Sequence, residues 1–169
     1  MNLIKTDLID PIYDSLWEDI STLVKDVVRR PVLVIVNDYE AGSAADTQLQ
    51  KMLDACKLKS EQYNIIKLKE GQMAAWYKLR EQLDPKIVFL IGIPARALGI
   101  SALFHLNFQN NFDGCVWLPT LSINELAQHD DVKKQLWVNG MKPLFIDRPI
   151  PPTSLLSNGN SKGEEMLTA

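Results

Sequence analysis

Apolar residues along this chain fall into two alternating kinds of run. Residues 31–37 (PVLVIVN) are β-branched and apolar almost without a break. That pattern marks a strand covered on both faces, as in a parallel sheet. A second strand is expected at 63–68 and a third at 86–91 (KIVFLI), and 115–118 (CVWL) gives a short fourth strand. Between these runs the apolar positions fall three and four apart. Ala45, Leu49, Met52, Leu53 and Cys56 form one helical stripe. Met73, Trp76, Leu79 and Leu83 form another, stopped by Asp84-Pro85. Gly92 and Pro94 open a short helix to about Leu98. Residues 104–114 have no clear period and read as a loop carrying His105. Ser122 with Glu125 three residues later is a capping box that opens a helix. A further helix runs from about Asp130 to Phe145, with Val132, Leu136, Val138 and Met141 as its apolar positions.

Ahead of the first strand, Ile12, Leu16, Ile20, Leu23, Val24 and Val27 predict an amphipathic helix. Pro11 sits in its first turn, Asp10 is its candidate cap, and Arg29-Arg30 supply positive charge at its negative end. After Asp147 the text turns to Pro, Ser, Asn, Gly, Lys and Glu, which predicts a disordered tail. The expected organisation is therefore an N-terminal segment and helix over 1–30, an α/β domain over 31–147 and a tail over 148–169. The expected fold is a three-layer α/β/α domain with a four-stranded, mostly parallel sheet.

Composition narrows the function classes. The chain has 169 residues, 46% hydrophobic and 23% charged, with a net charge of −3. That balance suits one globular domain and argues against a protein that coats nucleic acid, since such binding needs a strong positive field. DNA binding is expected to be weak or absent. Lys51, Lys57, Lys59, Lys67 and Lys69, with Arg29-Arg30 and the aromatic pair Trp76-Tyr77, are read as a solvated charged face beside a core tryptophan. The two cysteines, Cys56 and Cys115, make no CxxC pair and read as small buried residues. No metal cluster and no cofactor motif is expected. No run has the pattern of a signal peptide or the length of a membrane span, so a cytoplasmic protein is expected.

In sheets of this kind function sits beyond the carboxyl ends of the strands. Those ends are 37–43, 68–71, 92–96 and 118–122. The turn Asn37-Asp38-Tyr39-Glu40 places two carboxylates just past the first strand. A carboxylate there activates a water in an enzyme. In a binding protein it is a solvated turn whose Asp caps the next helix. His129, before Asp130-Asp131, reads as exposed; His105 reads as either core or surface. Neither has a nucleophile motif beside it.

The order of these signals resembles the uracil-DNA glycosylase superfamily in its compact bacterial and archaeal form. The clearest stretch is 119–137 (PTLSINELAQHDDVKKQLW), where Pro119, Thr120, Leu126, Lys133, Lys134 and Trp137 match the frame of the family's late motif. Residues 34–42 stand where the family has its glycine-rich loop. The Met52-Leu53 helix, the strand at 63–68, Leu90-Ile91-Gly92 and Ala95 to Leu98 follow in order. The departures fall on the chemistry. Ser122 stands in place of the transition-state histidine and Ile123 in place of its proline. The base-stacking phenylalanine has no counterpart in 41–48, and the strand ending at Leu68 lacks the asparagine that reads uracil.

The chain also resembles the psi subunits of bacterial DNA polymerase III, in Leu33-Val34, in Val36-Asn37-Asp38 and in Leu136-Trp137. Those proteins keep the fold without glycosylase activity. Their N-terminal segment docks on the clamp-loader collar and their domain pairs with the chi subunit. The resemblance implies a non-catalytic interaction module in DNA replication or repair, with no catalytic residues expected. It implies a protein partner, with replication machinery as the candidate, docked in part through Leu3, Ile4, Leu8 and Ile9. Asn37, Asp38, Tyr39, Leu121, Ser122 and Asn124 are the candidate binding residues. The competing expectation is a nucleobase-acting hydrolase with a rearranged site on Asp38, Glu40 and Ser122.

Overall fold

The computed structural model describes residues 23–24 and 27–147. The positions Leu3, Ile4, Leu8 and Ile9, the helix cap at Asp10-Pro11 and the tail over 148–169 lie outside the described residues. The elements run β1 (Val32–Asn37), α1 (Ala44–Ala55), β2 (Tyr63–Leu68), α2 (Trp76–Leu83), β3 (Ile87–Ile91), β4 (Asn110–Phe112), β5 (Cys115–Thr120), α3 (Ile123–Gln128) and α4 (Asp130–Leu136). Short 3₁₀ turns cover Ser60–Gln62 and Ala95–Leu98, and a π-helix, Trp137–Ile146, continues from α4.

The strands form one sheet in the order β2-β1-β3-β5-β4. Four are parallel; β4 pairs antiparallel with β5. The sheet thus has five strands where four are expected from the sequence, and the loop read over 104–114 contains β4. Its turn is Asp113-Gly114, with φ of 53° and 75°. Two positive φ angles give the two-residue turn whose twist matches that of the flanking strands. β5 also runs two residues further than expected. Pro119 is tolerated there because β4 pairs only with Cys115 to Trp117. At Pro119 the open side of β5 needs no N–H, and its carbonyl accepts from the Asn107 N–H at 2.7 Å.

Helices cover both faces of the sheet. On one face Val32, Val34, Val36, Phe89 and Leu118 lie under α1, α3, α4 and the π-helix. On the other, Leu33, Ile35, Val88, Leu90 and Trp117 lie under α2 and the Ala95–Leu98 turn. Trp117 is the hub of that second core, with ring centroids 4.6 Å from Trp76 and 5.3 Å from Phe104. Trp76 belongs to this core as expected. Its indole N–H donates to Asp113 Oδ2 at 2.8 Å, and Arg80 holds the other carboxylate oxygen.

Two sequence expectations change, and a third lies outside the described residues, since the helix that Arg29-Arg30 were expected to close is not among them. The Arg29 guanidinium donates to the Glu81 and Gln82 carbonyls at the C-terminal end of α2. Arg30 donates to the Ser60 and Tyr63 carbonyls. With Asn64 donating to the Val28 carbonyl at 2.8 Å, these bonds fasten the chain entering β1. The helix on Met73 starts only at Trp76. The long helix expected over 130–145 changes pitch at Trp137. The wider π turn moves the apolar stripe, so that Met141, Leu144 and Phe145 are buried while Val138 is 53% exposed. Gly140 lies on the sheet side of this segment, where an added Cβ would stand 2.5 Å from Leu118 Cδ1.

Both cysteines are unpaired and buried, as the sequence predicts. Burial pushes the Cys56 thiol up to about 12. The Cys115 thiol is also raised, chiefly by burial, and it donates to the Pro85 carbonyl.

Candidate functional site

β1 is followed in sequence by β2 on one side of it and by β3 on the other. The chain therefore reverses its direction of travel between β1 and β3, the switch point where ligands bind in open α/β sheets. The register brings the strand ends together there. Val36 is level with Ile91 and Ile91 with Thr120, so Asn37, Gly92 and the residues after Thr120 meet at one edge.

A cleft of about 840 Å³ opens at this edge. From the end of β1 come Asn37, Asp38, Tyr39 and Glu40; from the end of β2, Lys69 and Glu70. Gly92 forms part of the wall after β3, and Ser122, Asn124 and Glu125 complete it after β5. Of the six binding residues expected from the sequence, five line the cleft. Leu121 does not; it packs against the first core. Gly92, Lys69, Glu70 and Glu125 also line it, although the sequence did not mark them as binding residues. Gly92 carried the clearest signal, as a glycine directly after an apolar strand.

The floor is tight. Gly92 has φ of +69°, and its Cα faces the Asn37 side chain and the Ser122 backbone, leaving no room for a Cβ. The Asn37 Oδ1 is the only buried side-chain polar atom without a hydrogen-bond partner among the described residues. Tyr39 is partly buried, and Lys67 Nζ lies 3.8 Å from its ring centroid and donates to its carbonyl at 3.3 Å. Burial first, then the charges of Asp46, Tyr63 and Asp38, hold the Tyr39 phenol above its ordinary value.

The residues that would carry an enzyme's chemistry are occupied or exposed. Ser122 Oγ accepts from the Glu125 N–H at 3.2 Å and donates to Glu125 Oε1 at 2.9 Å. The first bond is the N-cap expected from the sequence, but Glu125 takes the Ser122 hydroxyl rather than its backbone N–H, so the expected box is only half formed and the hydroxyl is engaged at the helix end. Asp38 does not cap α1; Ser43 does, accepting from the Asp46 N–H. Asp38 and Glu40 are exposed. His105 and His129 are both exposed and neither lines the cleft. No group of three or more potential metal ligands occurs among the described residues.

A second surface was not anticipated. The chain between the Ala95–Leu98 turn and β4 carries Leu103, Leu106 and Phe108, which are 97%, 50% and 43% exposed. Leu103 and Leu106 border a mainly apolar groove of about 420 Å³ with Ile93, Pro94 and Ala102. The sequence signal was present as three large apolar residues in a stretch without a period.

No model of a known protein family matches the chain, and no curated protein matches it.

Proposed function

We propose that this chain is a non-catalytic protein-interaction module built on a glycosylase-like α/β fold, psi-like in DNA replication or repair. The observation that carries this reading is the apolar loop. Three large apolar side chains are exposed within six residues, two of them, Leu103 and Leu106, beside a groove, and such a patch marks a surface that another protein covers. The cleft supports the same reading from the other side. Its serine is bound into a helix cap, its carboxylates lack an adjacent histidine, and Asp38, Glu40, Glu70 and Glu125 face a single lysine, Lys69. Such a lining repels a phosphate backbone, which accords with weak or absent DNA binding. On this reading Leu3, Ile4, Leu8 and Ile9 add a second docking element ahead of the domain. No helix among the described residues is long and apolar enough to cross a membrane.

The test is co-purification of the tagged full chain from its source cell, with identification of the bound proteins. Clamp-loader or chi-type subunits are expected, and Leu103→Ser with Leu106→Ser is expected to release at least one of them. The competing reading, a nucleobase-acting hydrolase, draws on the placement of Asp38, Glu40 and Ser122 in one cleft. Uracil release from DNA that Asp38→Asn abolishes would replace the module with the enzyme.

A further inference from the structure

The groove beside the apolar loop has walls fixed from behind. Gly99 closes the Ala95–Leu98 turn: its φ of 73° brings its N–H to the Arg96 carbonyl at 3.0 Å. The Ile100 N–H bonds the Ala95 carbonyl, and the Ala97 carbonyl accepts from the Ala74 N–H ahead of α2. Ile93 and Ile100 belong to the second core beneath, while Leu103 and Leu106 stand in solvent at the rim. Residues 93–112 hold one charged side chain, Arg96, where 23% of twenty residues would be about five. Depletion of charge with arginine retained is the composition of an interface core rather than of ordinary surface.

Arg96 stands apart from the other arginines among the described residues. Arg29 and Arg30 hold backbone carbonyls and Arg80 holds Asp113. Arg96 is exposed, lines the groove, and has no side-chain hydrogen bond or ion pair among the described residues. No aspartate or glutamate lines the groove with it. An occupant that covers the apolar walls must therefore bring a counter-charge of its own, or strip water from an unpaired guanidinium at a cost. We infer that the partner fills this groove with an apolar segment carrying an aspartate or glutamate, whose carboxylate pairs with Arg96. A guanidinium bonds a carboxylate through two parallel N–H groups, so the pair also fixes the register of the segment along the groove. The inference rests on the interaction-module reading and deepens it, by giving the chemistry of the segment that covers the apolar loop.

The experiment places a photo-reactive benzoylphenylalanine at Ser101, which lines the groove and is exposed, in the full chain within its source cell. The cross-linked peptide is then identified by mass spectrometry. A partner segment with large apolar residues and an aspartate or glutamate among them is expected. Its yield is expected to fall about fivefold in Arg96→Glu, the upper range for an exposed ion pair, and to be largely kept in Arg96→Lys. The same reagent at Tyr77, which is 67% exposed and does not line the groove, is expected not to label that segment; labelling from both positions would overturn the inference as unspecific contact. A cross-linked partner segment without a carboxylate, or a yield that Arg96→Glu leaves unchanged, would overturn the inference while the module stands, provided that Leu103→Ser/Leu106→Ser still releases the partner. Cross-links only to residues 1–22 of this chain or to a second copy, or none at all, would overturn both, since no other protein would then cover the loop.

Discussion

Asn37 and Gly92 occupy one another's space: the Asn37 side-chain oxygen lies where a Cβ on residue 92 would have to be. Asn37 ends β1 and Gly92 directly follows β3, two neighbouring strands whose register sets Val36 against Ile91. The glycine therefore answers two demands at once, a left-handed backbone with φ of +69° and close approach of another chain segment.

Gly92→Ala is accordingly expected to destabilise the domain by about 1–3 kcal/mol from backbone strain alone, with a further cost from displacing the Ser122 backbone. Chemical denaturation of the variant and the parent gives the difference. A loss below about 0.5 kcal/mol would mean that the floor of the cleft yields easily. Gly42→Ala is the comparison, since it shares a positive φ but meets nothing within 4 Å.

Polar replacement of the apolar loop should cost the fold little. Leu103 is almost fully exposed, so Leu103→Ser is expected to change stability by no more than about 0.5 kcal/mol. Thermal melts check this. A large fall in Tm would place Leu103 in the core and remove the observation on which the module reading rests.

Asp113 joins the β4–β5 turn to α2. The Trp76 N–H first, and then Arg80, hold its carboxyl below the usual value against a desolvation effect in the other direction. A carboxyl lowered in the folded state stabilises above its unfolded pKa, and that contribution fades as pH falls through the folded value. Asp113→Asn keeps an acceptor for Trp76 and also suits a positive φ, but carries no charge. The variant is expected to melt below the parent at neutral pH, and the gap is expected to close as the pH drops beneath the ordinary carboxylate range. A gap that persists unchanged into acid would show that the carboxylate charge plays no part.

Neither cysteine should react in the native protein. Cys56 is buried with its thiol raised to about 12, and Cys115 is buried with its Sγ on the Pro85 carbonyl. A chromogenic disulfide at pH 8 is expected to titrate two thiols only after denaturant is added. Rapid reaction of one thiol without denaturant would reveal local opening at α1 or at the start of β5.

Several of these features could be read directly from the residues. Continuous β-branched runs such as 32–36 located the parallel strands, because a strand covered on both faces has no polar side to show. Strand ends then located the cleft, and Asn37, Asp38, Tyr39, Ser122 and Asn124 were all named from their place after β1 and β5. Ser122 was identified as a helix cap from its spacing to Glu125, a contact between near neighbours in the chain. β4 was legible in principle: Asp113-Gly114 is a strong two-residue hairpin signal, but three residues of strand beneath an aperiodic loop gave it no pattern to stand on.

What the sequence determined by itself was therefore local: which segments are strand or helix, where they stop, and that the strands lie in a largely parallel sheet. Only the tertiary structure decided which residues far apart in the chain meet. It set Arg29 at the end of α2, Trp76 on Asp113 and Asn37 against Gly92. It packed Leu121 against the core and left Leu103 in solvent. The physical reason is that periodicity reports how a segment faces its own two sides, which short-range sterics and burial settle. The partner across a gap of 50 residues depends instead on sheet order and register, and no window along the chain contains both sides of that choice.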